Sequence, residues 1–165
     1  MSHLRLIVRA TAVVAFTAAL SMAAGAQDLG TQKVISVDIA QTVAQAALAQ
    51  CRADGYRVTA TILDNGGNIK VIVRDDGTAL ATIDLSRRKA YSALIFRRTS
   101  GETAKAFGAM SPPPSVEGTV MLAGGVPIKV GTETIGAIGV SGAPGGDKDE
   151  ACANAAITKV ADKLK

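Results

Sequence analysis

Between residues 36 and 164 the spacing of apolar side chains passes from a helical to a strand period twice over, and this limits the chain to a mixed architecture. Ile39, Val43, Ala46, Ala47 and Cys51 fall on one stripe of a helix predicted over residues 36–54, with Ser36 as N-cap and Gly55 as the stop. The period then becomes two. Tyr56, Val58, Ala60 and Ile62 alternate with Arg57, Thr59 and Thr61, and Ile69, Val71 and Val73 resume the pattern after Asp64-Asn65-Gly66-Gly67. Asn and Gly accept the positive φ of a tight return, so a β-hairpin is expected. A central helix is predicted over 82–98 with Thr82 as its cap, and a short one over 100–107 capped by Ser100. Prolines at 112–114 then stop regular structure. Strands are predicted at 119–123, 126–130 and 134–140, and a glycine-rich loop over 141–146 leads to a last helix with Ala153, Ala156, Ile157, Val160 and Leu164 on its buried stripe. Five strands joined by hairpin-length connections within each group predict a mainly antiparallel sheet in an α+β fold.

Ahead of this pattern, Arg5 and Arg9 flank the start of an almost wholly apolar run over 10–20, and Ala24-Gly25-Ala26 has the small-x-small form that signal peptidase accepts. The run falls short of the roughly 20 residues that span a bilayer. The expectation is a cleavable signal over residues 1–26 and a single domain over 27–165, periplasmic or secreted, with no stable membrane insertion after cleavage. Taking 26 residues from 165 leaves 139, a usual size for one domain. The signal carries two arginines and no acid, so the formal charge of +4 falls to about +2, too mild to imply nucleic acid as a partner.

The only histidine, His3, lies in the signal. A mature chain without histidine disfavours Ser-His and Cys-His hydrolases, His-ligated zinc and bis-His haem. The two cysteines, Cys51 and Cys152, end one predicted helix and open another. In an oxidising compartment their even number and placement predict a disulfide; the alternative is two buried free thiols.

Several short motifs carry no chemistry. Ser86-Arg87-Arg88-Lys89 has the S-x-x-K form without its companion elements, Gly139 to Ala143 misses the last glycine of a nucleophile elbow, and Asp64 to Asn68 lacks the glycine and glutamate of a calcium loop. The glycines before the last helix suggest an anion nest, but Asp147, Asp149 and Glu150 occupy that helix end themselves. The central helix is less ordinary. Ile83, Ala90, Ala93 and Leu94 form one stripe while Leu85 and Phe96 point elsewhere, interleaved with Arg87, Lys89, Arg97 and Arg98. Two explanations remain open: a helix covered on both sides at an oligomer interface, or one lining a site where cations meet an acidic ligand beside apolar surface.

The segments VTATILDNGGNIKVIVRDDG from Val58, RRKAYSA from Arg87, GGVPIKV from Gly124 and IGAIGVSGAPGGDKDEACA from Ile135 resemble the GlcG/HbpS family of haem-binding-like proteins. The resemblance implies a profilin-like five-stranded, mainly antiparallel sheet with helices packed on it, frequent homo-oligomerisation, and haem as the leading ligand. The candidate ligand-binding residues are Arg87, Lys89, Tyr91 and Ser92, with the Tyr91 phenolate as the group for haem iron and Arg87 and Lys89 for its carboxylates. A binding role is expected ahead of catalysis. The alternatives are an enzyme acting on a small organic acid, with Arg87 and Lys89 holding the carboxylate and Tyr91 or Ser92 near the chemistry, or a sensor or structural accessory protein working through protein contacts.

Overall fold

The computed structural model describes residues 30–110 and 114–165; the expected signal over 1–26 lies outside them. Ser36 caps helix α1 (Val37–Ala53), its hydroxyl accepting the Ile39 N–H at 3.3 Å, and the chain turns out of the helix at Gly55 with φ 82°. Strands β1 (Thr59–Asp64) and β2 (Ile69–Arg74) form the expected hairpin. Its turn is pinned by the Asp64 carboxylate, which accepts the N–H groups of Gly66 at 3.0 Å and Asn68 at 2.9 Å.

Helix α2 (Ala81–Phe96) and helix α3 (Ser100–Gly108) follow. Neither expected cap serves. The Thr82 hydroxyl shares a 2.7 Å hydrogen bond with Thr59 across to the sheet, and α3 is capped by Thr99, whose side chain and that of Glu102 complete a reciprocal capping box. Strands β3 (Gly125–Val130) and β4 (Glu133–Ser141) precede helix α4 (Gly146–Lys159) and a single 3-10 turn, Ala161–Lys163. The four strands are ordered β2-β1-β4-β3, and all three pairings are antiparallel. Gln32–Lys165 packs as one compact unit.

Residues 119–123, expected as a fifth strand, form none. Side chains bond several backbone groups of this stretch and its neighbour Gly124 instead. Ser92 Oγ accepts the Val120 N–H at 2.9 Å, Ser100 Oγ donates to the Leu122 carbonyl at 2.7 Å, and the Glu150 carboxylate accepts the Gly124 N–H at 3.2 Å. Bonds from three helices thus hold the segment in place of a strand ladder.

The central strands β1 and β4 are buried on both faces. On one, Val58, Ala60, Ile62, Ile138 and Val140 meet the apolar stripes of α1 and α4. There Cys51 and Cys152 form the expected disulfide, with Cα atoms 5.6 Å apart and the two cysteines 101 positions apart in sequence. On the other face lies α2. Thr61 shares a 2.7 Å hydrogen bond with Ser86, parallel to the bond between Thr59 and Thr82, so a strand that reads as half solvated is buried on its polar side too. The helix comes close because Gly125 and Gly139, paired across β3 and β4, lie beneath it: a Cβ at either position would stand about 2 Å from the carbonyl oxygen of Lys89 or Ser86.

Candidate functional site: an edge cleft beside a buried ion pair

Helical geometry separates the four residues suggested by sequence. Lys89 and Ser92, three apart, point inward; Arg87 and Tyr91, four apart, lie towards the outside. Lys89 Nζ donates to Asp149 Oδ2 at 2.7 Å and to the Val140 carbonyl at 3.2 Å, with the side chains of the pair 4% and 3% exposed. Burial pushes the Asp149 carboxyl above its ordinary value, opposed by the Lys89 ammonium and by the Ala143 N–H bound to Asp149 Oδ1 at 2.9 Å. Ser92 is fully buried and occupied with Val120. Arg87 is held by Asp84 at 3.0 Å. Asp149 and Glu150, which looked like occupants of the α4 terminus, reach inward: Glu150 also accepts the Gly101 N–H at 3.0 Å. Lys89, Ser92, Asp149 and Glu150 thus tie α2, α3, α4 and the 119–125 segment together.

Tyr91 is placed differently. The antiparallel order brings the β1–β2 and β3–β4 turns to the same end of the sheet, where Asp64 faces Gly136, and α2 ends above them. A cleft of about 360 Å³ opens there, bounded by Asn65 and Gly66 of the first turn, Thr132, Glu133 and Thr134 at the second, and Tyr91, Leu94, Ile95 and Arg97 of the helix end. The Tyr91 ring is slotted between Gly67 and Gly118, where an added Cβ would lie 3.2 and 3.3 Å from ring carbons. Among the described residues its hydroxyl has no hydrogen-bond partner, and neither does the Arg97 guanidinium. Glu133 is the acidic group in the lining, and its Oε1 accepts the Lys33 N–H at 2.9 Å. The arrangement offers hydrogen-bond donors in a mostly polar lining to which Leu94 and Ile95 add apolar surface, suited to a ligand with an anionic end.

Of the residues lining this cleft, sequence reasoning singled out Tyr91, named Arg97 only as one of four cations on the central helix, and did not single out Asn65, Thr132 or Thr134. The signals were present but indirect. Gly66-Gly67 and Gly131 mark the two turns, and the T-x-x-E box of Thr99 and Glu102 forces α2 to end before it. What sequence does not supply is the strand order that brings the two turns together. Two residues that looked out of place on α2 are also explained in part: Phe96 packs edge-on against Phe107 at 5.1 Å, and Leu85 is half-buried.

The family described as haem degrading protein HbpS-like matches residues 35–158. A 15.0 kDa protein from the dhaT-dhaS intergenic region of Citrobacter freundii is 31% identical over 116 residues, covering 66% of this chain and 80% of its own. The GlcG protein of Escherichia coli K12 is 29% identical over 112 residues, with 67% and 84% covered. A double-mutant crystal structure of HbpS from Streptomyces reticuli superimposes with a TM-score of 0.78 at 32% identity, over 84% of this chain and 94% of that one.

Proposed function

Because the chain belongs to the GlcG/HbpS family, we propose that it is an exported haem-binding protein that holds its ligand at the edge cleft, with the Tyr91 oxygen directed to the iron. The observation that carries this reading is the pairing, in one cleft, of a phenol and a guanidinium without hydrogen-bond partners among the described residues, beside Leu94 and Ile95. The residues fit haem gripped at its edge rather than enclosed. Among the described residues there is no histidine to compete for the metal, Tyr91 supplies an anionic oxygen on deprotonation, and the 360 Å³ cleft is open at its mouth. Bound there, the iron would supply a Lewis-acidic centre. The other tyrosine, Tyr56, lies under the Lys148 ammonium, 5.3 Å from the ring centroid, and the thioether of Met110 is exposed outside the cleft.

A homo-oligomer belongs to the same reading. Leu80 at 75% exposure, Ile83, Ile69 and Ile72 leave apolar surface uncovered near the α2 start and along the edge strand β2. Titration of the mature protein with haemin is expected to saturate near one haem per subunit, or one per pair of subunits if the cleft is shared. Tyr91→Phe should lose the charge-transfer band of a phenolate complex while keeping the fold; an unchanged spectrum refutes the iron assignment, and absence of saturable binding refutes haem. Intact mass of envelope protein is expected to start at Gln27, and native mass spectrometry to give the subunit number. The modest cleft volume favours one second reading, a small organic acid as ligand or substrate, which turnover without any chromophore would support.

A further inference from the structure

Four arginines follow one another along α2 and its exit, and three of them are engaged. Arg87 and Arg88 pair with Asp84 at 3.0 and 2.6 Å; Arg98 donates to Thr103 Oγ1 at 3.2 Å and lies over the Phe107 ring at 5.4 Å from its centroid. Arg97 has no such partner among the described residues and lines the cleft with Tyr91, Thr132 and Thr134.

Its backbone is equally distinctive. Arg97 is the one non-glycine residue of the described chain with positive φ, at φ 54° and ψ 26°. The left-handed turn is required because the Thr99 capping box starts α3 two residues later. Glycine meets that requirement without the steric cost of a Cβ, so the backbone alone gives no reason for an arginine here. Strain tolerated beside a cleft points to a task for the side chain. A planar, permanently charged fork with free donors matches a carboxylate in geometry and charge, and the neighbouring threonine hydroxyls can bond the same group.

We infer that Arg97 selects a carboxylate on the ligand of this cleft. The inference rests on the proposed binding role of the cleft but not on iron.

The test uses metal-free protoporphyrin and its dimethyl ester as probes. The wild-type protein is expected to bind the free acid at least about tenfold more tightly than the ester, the scale of one charge-assisted hydrogen bond. Arg97→Gly is expected to bind both alike, with a melting temperature unchanged or up to about 3 °C higher because the left-handed strain is relieved. Arg97→Lys should keep part of the preference, since it keeps the charge and loses the fork. Equal affinities in the wild type, a preference that survives in Arg97→Gly, or no saturable binding of either porphyrin would each overturn the inference. The two readings fail separately. Haemin bound with a phenolate band but with Arg97→Gly indifferent to esterification leaves the Tyr91 reading standing and removes the role of Arg97. Selection through Arg97 with no phenolate band from haemin does the reverse.

Discussion

The two faces of the sheet are buried by different chemistry. Against α1 and α4 the strands present valine, isoleucine and alanine, cross-linked by Cys51 and Cys152. Against α2 they present two threonines bonded to Thr82 and Ser86 and two glycines that admit the helix backbone, and α2 itself adds an interior lysine balanced by Asp149. An apolar face tolerates small slips in packing, because dispersion and burial have little direction. Hydrogen bonds and a buried ion pair do, so the polar face fixes where α2 lies and where it ends. Since the cleft is built at that end, the specificity of the polar face is what positions Tyr91 and Arg97. The apolar face supplies much of the burial, and the polar face supplies the register.

The largest effect should come from breaking the polar face at its centre. Lys89→Met leaves the Asp149 carboxylate buried without its cation and is expected to cost about 3–5 kcal/mol in denaturant unfolding. Lys89→Met combined with Asp149→Leu should recover much of that loss, because neither charge is then stranded. If the double variant is as unstable as the sum of the single ones, the pair does not act as a unit. On the apolar face the corresponding staple is the disulfide. Replacing Cys51 and Cys152 together with alanine should lower stability by about 2–4 kcal/mol, mainly by freeing the unfolded chain. The contrast to look for is in the cleft. The alanine pair should leave ligand affinity nearly intact at temperatures where the protein is folded, whereas Lys89→Met should weaken it.

A subtler comparison concerns the hydroxyl pairs. Thr61→Val alone strands the buried Ser86 hydroxyl apart from its bond to the Ile83 carbonyl, and should cost about 1–2 kcal/mol. Thr61→Val with Ser86→Ala removes both partners and should be closer to neutral. A double variant no better than the single one would mean that shape, not hydrogen bonding, governs that contact.

Much of the apolar face was legible in the sequence and much of the polar face was not, for a physical reason. Burial of α1 follows a local period, its ends follow from Ser36 and Gly55, and the hairpin follows from alternation and an Asn-Gly-Gly turn. The disulfide followed from two cysteines at the facing ends of two helices. By contrast, Thr59 and Thr61 look the same in sequence whether they meet solvent or a helix hydroxyl. Lys89 looks like a surface cation until α4 brings Asp149 to it across 60 residues. The 119–123 segment has strand-like composition, and only the distant side chains of Ser92, Ser100 and Glu150 explain why it forms no strand. Tyr91 could be singled out as a phenol on an odd helix. Arg97 could not be told from its neighbours, because its distinction lies in a dihedral angle and in the partners that the other arginines have.

The smallest expected effect tests whether charge also matters on the apolar side, at its rim. Asp75, just beyond β2, is buried; its carboxylate accepts Arg52 Nε at 2.9 Å and Nη2 at 2.8 Å, with Arg57 at 3.6 Å. The hydrogen bonds from Arg52 are the chief cause holding the Asp75 carboxyl at about 2, below its ordinary 3.8; the Asp76 N–H and the charges of Arg52 and Arg57 add to them against the cost of burial. A carboxyl whose value is lower in the folded than in the unfolded chain stabilises the fold above the unfolded value, and that contribution is lost as pH falls through the folded one. The window is therefore pH 3.8 down to about 2. Arg52 is half-exposed, so salt should weaken the effect. Many carboxyls titrate in this range, so the informative quantity is the difference between the wild type and Asp75→Asn. The wild type should hold an advantage in melting temperature at pH 5 that shrinks towards pH 2 and is smaller throughout in high salt. An advantage that stays constant with pH would assign Asp75 a packing role only, leaving the polar face of the sheet as the place where buried charge governs this fold.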